Sequence, residues 1–527
     1  MKKTLLSLFT LSLCLFSAAQ NDGHFQVDQN GKTHFKMESF SGSSQQQGNI
    51  GPLELNLDWS SPDFDVSNHP AVDSWEPRLA VDNTGNAYVV YNDNHPNGLQ
   101  KIMFRKRNVD GSWTDPIFVD KGGEIGSRNN HFPAIAAASN GDLHVIYNVW
   151  AFENVRNYIG YSYYEASANL WHDGVKISDE GGTVNHTSSH HDIYVTDDNL
   201  PVVVWGYDFR ENQVNEEIYM KYYDGSNWSA DIAVSDVSDG SDAGNPYIKS
   251  IGDNKAMILY SEFTASGGRE LRYRIYDESS HELSEMKMIV DANIFSNNYA
   301  LVSSPTGDVM VLSIYKTTNP NRDVLQIFDY DRGSDSFSLS PNVFEIAANA
   351  GGLLKRIAMD CNSEGDCGVI YTDMLDENIS FLEYNKNDGF GTPLVIVNEN
   401  PGFEEPSALF DPSGNFHLVW NDYRFDDGQG FDEREIMYKQ GVNLTIGIEQ
   451  LEMASIEVYP NPTNGFFNIK SSKIYSMEIY DVLGRKIDHF DVLEGITPME
   501  IKLKSGTYFL KFTDGASSQN KKLIVNP

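Results

Sequence analysis

Cysteine is scarce: three residues in 527, one of them in the N-terminal apolar run, leave no disulfide framework to hold a small fold together. Basic side chains are also few, with 39 Lys and Arg against 75 Asp and Glu and a formal charge of −36. That balance excludes general nucleic-acid binding, where phosphate contacts dominate. It suits a soluble protein in a salty environment, calcium-containing or not, that screens self-repulsion, and it leaves a local basic pocket open. No segment sustains a 3.6-residue apolar period, which excludes a helical solenoid. After residue 20 no run is long and apolar enough to span a bilayer.

The N-terminus, MKKTLLSLFTLSLCLFSAAQ, has two lysines, an apolar middle and small residues at Ser17, Ala18 and Ala19. Residues 1–19 therefore read as a cleaved signal peptide. Cys14 raises a lipoprotein alternative, but Leu13 is bulky where a small residue is needed. Cleavage removes two lysines and no acid, leaving 37 basic against 75 acidic side chains, or −38. Cys361 and Cys367 then remain, flanking the turn NSEGD between two strand-like runs. Facing positions across such a hairpin bring two sulfurs within bonding reach in an oxidising compartment. Free thiols are the alternative, and two cysteines alone make a poor metal site.

The C-terminal block, residues 451–527, alternates apolar strands with Asn-Gly, Leu-Gly and Asp-Gly turns, the pattern of a small β-sandwich. It resembles the C-terminal sorting domain of the type IX secretion system. The matching residues are Tyr459 to Pro462, Asn464-Gly465, Ile479-Tyr480, Gly484, Gly506 to Tyr508 and Lys521 to Val525. The resemblance implies export through the periplasm and outer membrane by the type IX secretion machinery. The product is then released or held at the cell surface.

Between these ends a turn followed by a strand recurs seven times, ending in Tyr or Trp in six copies and at Ser313 in the fifth. Examples are AVDNTGNAYVVY ending at Tyr91, AAASNGDLHVIY at Tyr147, YVTDDNLPVVVW at Trp205 and LFDPSGNFHLVW at Trp420. Seven strand-like copies about 55 residues apart predict a seven-bladed β-propeller of four-stranded blades. The seventh copy ends at REIMYKQGVN without the further hairpin that follows the others, and GPLELNLDWS, residues 51–60, is a spare strand. That strand is expected to complete the last blade and close the ring. The fold class is thus all-β: a linker over 20–50, the propeller over 51–445 and the sorting domain over 451–527.

Fourteen residues before each anchor the repeats share a register, filled by Pro77, Pro133, His191, Pro246, Tyr299, Ile357 and Pro406. In a propeller the start of the innermost strand and the end of the second strand lie on one face, around the central channel. That mouth is expected to gather His95, His131, His190, His191, Trp150, Tyr207, Arg210, Arg356 and Arg424. Such concave mouths with convergent polar groups are the usual binding sites. His144 and His417 fall elsewhere and read as structural.

The propeller region resembles sialidase-like propellers in phrases such as GNFHLVWNDYR, although SDEGGTV at 178–184 only approaches their Asp-box and no Arg-Ile-Pro segment opens the chain. In architecture and in its His/Tyr/Arg mouth it also resembles the propellers that cleave ulvan and related uronate polysaccharides. That resemblance implies β-elimination. A base takes the C5 proton of the uronate, an acid protonates the departing C4 oxygen, and a cation neutralises the carboxylate. His131, His190, His191 and Tyr207 are the candidate catalytic residues. Arg210, His95, Trp150, Arg356 and Arg424 are the candidate substrate contacts. Lyase and dehydratase chemistry fit equally, and the alternatives are a non-catalytic glycan- or protein-binding propeller or a glycoside hydrolase working through carboxylates such as Glu262, Glu404, Glu405 and Asp422. No cofactor is required. Zinc on His186 and His190, or calcium in FDDGQGFDERE, residues 425–435, are further options. The expected partner is an acidic polysaccharide or its oligosaccharides, and the expected state is a monomer.

Overall fold

The computed structural model describes residues 55–68, 73–94, 98–151, 156–178, 187–207, 216–236, 241–263, 269–289, 299–318, 321–346, 354–373, 378–398, 406–424, 434–444, 456–471, 474–482, 485–513 and 518–526, and the backbone of 23–27 and 33–37. The signal segment falls outside this set. Residues Met1–Leu53 form a unit of their own, in which Gly23–Val27 pairs antiparallel with Thr33–Met37.

From the local sequence upward, the repeated turn explains the repeated hairpin. In the first copy the Asp82 amide donates to the Asn86 carbonyl and Gly85 N–H donates back to the Asp82 carbonyl. The same bond pair recurs from Ala138, Thr196, Ser304, Asn362 and Asp411. The fourth turn residue must take a left-handed backbone. Glycine supplies it at Gly85, Gly141, Gly307, Gly365 and Gly414, and Asn199 does so in the third copy. Asp82 locks its turn further. Its carboxylate accepts from Thr84 N–H (2.9 Å), Asn86 N–H (3.0 Å) and the Tyr88 hydroxyl (2.6 Å).

Each turn joins the first two strands of an antiparallel sheet, and among the described residues seven such sheets succeed one another between Leu57 and Asn443. Their innermost strands are Ser74–Val81, Asn129–Ala137, Thr187–Val195, Ala243–Gly252, Tyr299–Ser303, Leu354–Cys361 and Ser407–Phe410. Each packs on the next, and the seventh packs on the first, so the ring closes. All seven line one axial cavity. The propeller class read from the sequence is the class observed.

Second strands are buried on both faces because the two sides of a blade face two neighbours. In Ala87–Asn94, Val89 and Tyr91 pack with Val419, Ile436 and Tyr438 of the seventh sheet. Tyr88 and Val90 pack with Val145, Tyr147 and Val149 of the second. Each fully buried side chain of this size is worth about 2 kcal/mol.

The seventh sheet takes its outer strands from the N-terminal side. Leu57 and Asp58 pair with Asn443 and Val442, and Phe64 and Asp65 pair with Tyr438 and Met437. Arg105 of the first sheet fixes this segment. Its guanidinium donates to the Val66 carbonyl at 2.7 Å and lies over Phe64 and Trp113, which stack at 4.8 Å. Lys439 adds an ion pair to Asp63 at 2.8 Å.

Cys361 and Cys367 face each other in register and form a disulfide. The tail forms a three-stranded and a four-stranded sheet around a core that includes Ile469, Met477, Leu510 and Phe512. No helix of the described residues is long and apolar enough to cross a membrane.

Candidate functional site

The start of the innermost strand is irregular in a repeated way. The pairing register slips between Trp75 and Arg78, between His131 and Ala134, between Thr187 and His191, and between Gly244 and Tyr247. Such bulges re-aim side chains at a sheet end. In three of these sheets the residue before the proline is left-handed: Glu76 (φ 56°), Phe132 (φ 53°) and Asn245 (φ 55°). Non-glycine residues hold this backbone only where surrounding bonds over-determine it.

Those bonds are visible around His131. Asn92, fully buried, donates from its side chain to the Asn130 carbonyl at 2.7 Å and accepts from the Phe132 amide at 2.9 Å. The same amide also reaches a Glu76 carboxylate oxygen at 3.0 Å. Asn130 is itself buried and donates to Asp120 and to the Ile125 carbonyl. Both neighbours of His131 are thereby clamped, and the first sheet positions a residue of the second.

His131 itself is only 4% exposed. Its ring centroid lies 4.3 Å from Trp150, 6.0 Å from Phe132 and 6.4 Å from Trp75. Nε2 is buried and meets no hydrogen-bond partner among the described residues. Loss of solvation pulls its pKa down to about 4, so the imidazole is neutral at pH 7. Arg434 holds Asp73 at 2.7 Å and lies 5.3 Å over Trp75.

The other residues singled out from sequence divide. Trp150 is half-buried beside His131. His190 is half-buried, and His191 is buried, paired in register with Trp205. Tyr207 is the register partner of Thr187, in the strand next to both histidines, but its side chain lies outside the described residues. His95, His186, Arg210, Glu404 and Glu405 lie outside them too, as does the stretch 425–433. Arg356 lines the axial cavity. Arg424 is held by Asp422 at 2.7 Å and Asp63 at 2.8 Å; burial works against its charge, but those two carboxylates hold its pKa above the usual value.

Two carboxylates considered for hydrolysis already have partners: Glu262 with Arg272 at 2.9 Å, and Asp422 with Arg424 and the Trp420 indole N–H. His144 bonds the Tyr161 hydroxyl at 2.8 Å. His417 lies between Asp411 (3.2 Å) and the Tyr438 hydroxyl (2.8 Å), fully buried. Among the described residues no group of three or more His, Cys, Asp or Glu could hold a metal ion. Asn92 and Asn130 are the site residues that sequence reasoning passed over. For Asn92 a signal was present, since asparagine follows the anchor at Asn92, Asn148 and Asn421 and is buried each time; Asn130 has no such repeat.

Residues 457–526 match the secretion system C-terminal sorting domain. The chain is type IX secretion cargo. It is exported to the cell surface or beyond, as the tail's resemblance to the sorting domain implies. No curated protein matches the chain. Among solved structures it is similar to a protein of unknown function from Dyadobacter fermentans DSM 18053, at 9% identity and TM-score 0.43, covering 72% of this chain and 97% of that one. It is also similar to a Hadza microbial sialidase (12%, TM-score 0.39, covering 57% of this chain and 63% of that one). A third is an α-L-arabinanase of Penicillium chrysogenum complexed with arabinobiose (12%, TM-score 0.38, 59% and 92%). Identity this low carries no residue of those proteins onto this chain.

Proposed function

We propose that the exported propeller acts on acidic polysaccharide or its oligosaccharides at this mouth, by β-elimination next to a uronate carboxylate. The observation that supports the reading best is His131, a neutral imidazole with an unpartnered nitrogen, fixed at the start of an innermost strand by bonds to both neighbours. A neutral imidazole can accept a proton at pH 7, where an imidazolium cannot. In the proposed reaction the C5–H bond breaks and the proton passes to an imidazole of His131, His190 or His191. The electron pair forms the C4–C5 double bond. The C4–O bond breaks and its oxygen takes a proton from Tyr207. Arg356, and Arg210 three residues after Tyr207 in sequence, are the candidate partners of the carboxylate, which Arg binds in a two-pronged fashion.

A non-catalytic glycan- or protein-binding reading is favoured by one observation, the burial of His131 and His191 at 4% and 8% exposure. Variant analysis separates the two. Elimination requires that His131→Ala, His191→Ala or Tyr207→Phe abolish turnover while oligosaccharide binding persists. Product masses lighter by one water than hydrolysis products identify elimination. Variants that change affinity alone, with no product from any form, overturn the enzyme reading and leave the binding propeller.

A further inference from the structure

The axial cavity measures about 430 Å³ and is lined by all seven innermost strands. In a chain of formal charge −36 its charged lining is Arg78, Lys249 and Arg356 against Asp192 and Asp360. Both carboxylates are committed to backbone. Asp192 accepts from Ile193 N–H at 2.9 Å and, across to the next sheet, from Ile248 N–H at 3.0 Å. Asp360 accepts from Phe410 N–H at 2.8 Å, stitching the sixth sheet to the seventh. Lys249 is half-buried in the channel wall, where its charge acts on Asp360, and Arg78 donates to the Pro77 carbonyl at 3.1 Å. Asp360 faces the channel yet is walled by protein. That confinement raises its pKa to about 6, against the opposing pull of the Phe410 amide and the Lys249 charge.

We propose that the channel is an oxyanion site, taking a sulfate, phosphate or carboxylate between Lys249, Arg78 and Arg356. A narrow low-dielectric tube with three cations on its wall focuses positive potential, whatever the net charge outside. Arginine offers a planar fork to such an anion and lysine a point charge. The volume exceeds that of a lone ion and lies within the range of about 300–1,000 Å³ typical of small-ligand sites. A sugar ring bearing the anionic group therefore fits as well as a hydrated free ion. The inference goes beyond the reading of the mouth: it needs no reaction and none of the histidines.

Isothermal titration of the full exported chain with sodium sulfate, at ionic strength held constant with sodium chloride, tests it. Saturable one-site binding is expected, weakened about tenfold in Lys249→Gln through loss of one charge-assisted contact. Asp360→Asn keeps an acceptor for Phe410 while removing a negative charge, and it is expected to bind sulfate several-fold tighter. Misfolding cannot mimic that gain. Parallel titrations with glucuronate and a sulfated monosaccharide identify the source: tighter binding than sulfate assigns the site to a saccharide, and equal or weaker binding to a free inorganic anion. No saturable heat with any of the three, or one unchanged affinity across wild type and both variants, overturns the proposal.

Discussion

Replacing His131 with phenylalanine removes an imidazole that the fold keeps neutral, and the consequence is a change in how stability depends on pH. The folded-state pKa is pulled down from 6.5 to about 4 by burial. A group depressed in this way leaves stability intact above its unfolded pKa and erodes it as pH falls from there toward the folded pKa, because the unfolded chain binds the proton first. Between pH 7 and pH 5 the folded state of the wild type therefore loses about 2 kcal/mol to this one residue. The ring is 4% exposed, so solvent screening gives little relief. The variant should lack that share of the loss. Any packing change from phenylalanine shifts both pH values alike and cancels in the comparison. Urea unfolding followed by tryptophan fluorescence at the two pH values measures the difference, since Trp75 and Trp150 flank the site. Equal pH dependence in wild type and variant would refute the buried, unpartnered state assigned to His131.

Other expectations follow from the same framework. Asp82→Ala should destabilise the propeller by about 2 kcal/mol above pH 4. Burial raises that carboxyl, but the bonds from Asn86, Tyr88 and Thr84 outweigh it and hold its pKa at about 2. The cost should vanish as pH falls through about 2, and thermal melts against pH would show it. Replacing Cys361 and Cys367 together by alanine should cost about 2 kcal/mol, the loop-closure value for so short a loop, read from urea midpoints. If the chain turns over a uronate with His131 as base, the acid limb of kcat/KM should fall near pH 4 and not near 6.5, because the free enzyme's base sets that limb.

The repeat carried most of the fold. Anchors ending in Tyr or Trp marked second strands because those strands are buried on both faces, and turn glycines marked hairpins because the backbone there must be left-handed. The missing outer hairpin of the seventh copy was legible as a gap, and Leu57–Asp58 of the expected strand 51–60 lies in it, but the second strand there, Phe64–Asp65, falls beyond that stretch and was not foreseen. The site was legible only in part. Counting back from the anchors brought His131 and Trp150 together, but sequence could not show that Asn92 and Glu76 reach across from another sheet to hold them, since those bonds depend on how the sheets pack. Arg424 illustrates the opposite case. Its position after the anchor suggested a substrate contact, while two acids, one of them 361 residues away in sequence, occupy its guanidinium.

Elimination at the mouth would leave a spectroscopic product that a single assay detects. The exported chain is incubated with ulvan and other uronate polysaccharides, and with their oligosaccharides, while the ultraviolet absorbance of the conjugated unsaturated uronate is followed. A steady rise that disappears in Tyr207→Phe is the predicted result. A flat trace on every uronate, with no new reducing ends, would contradict it.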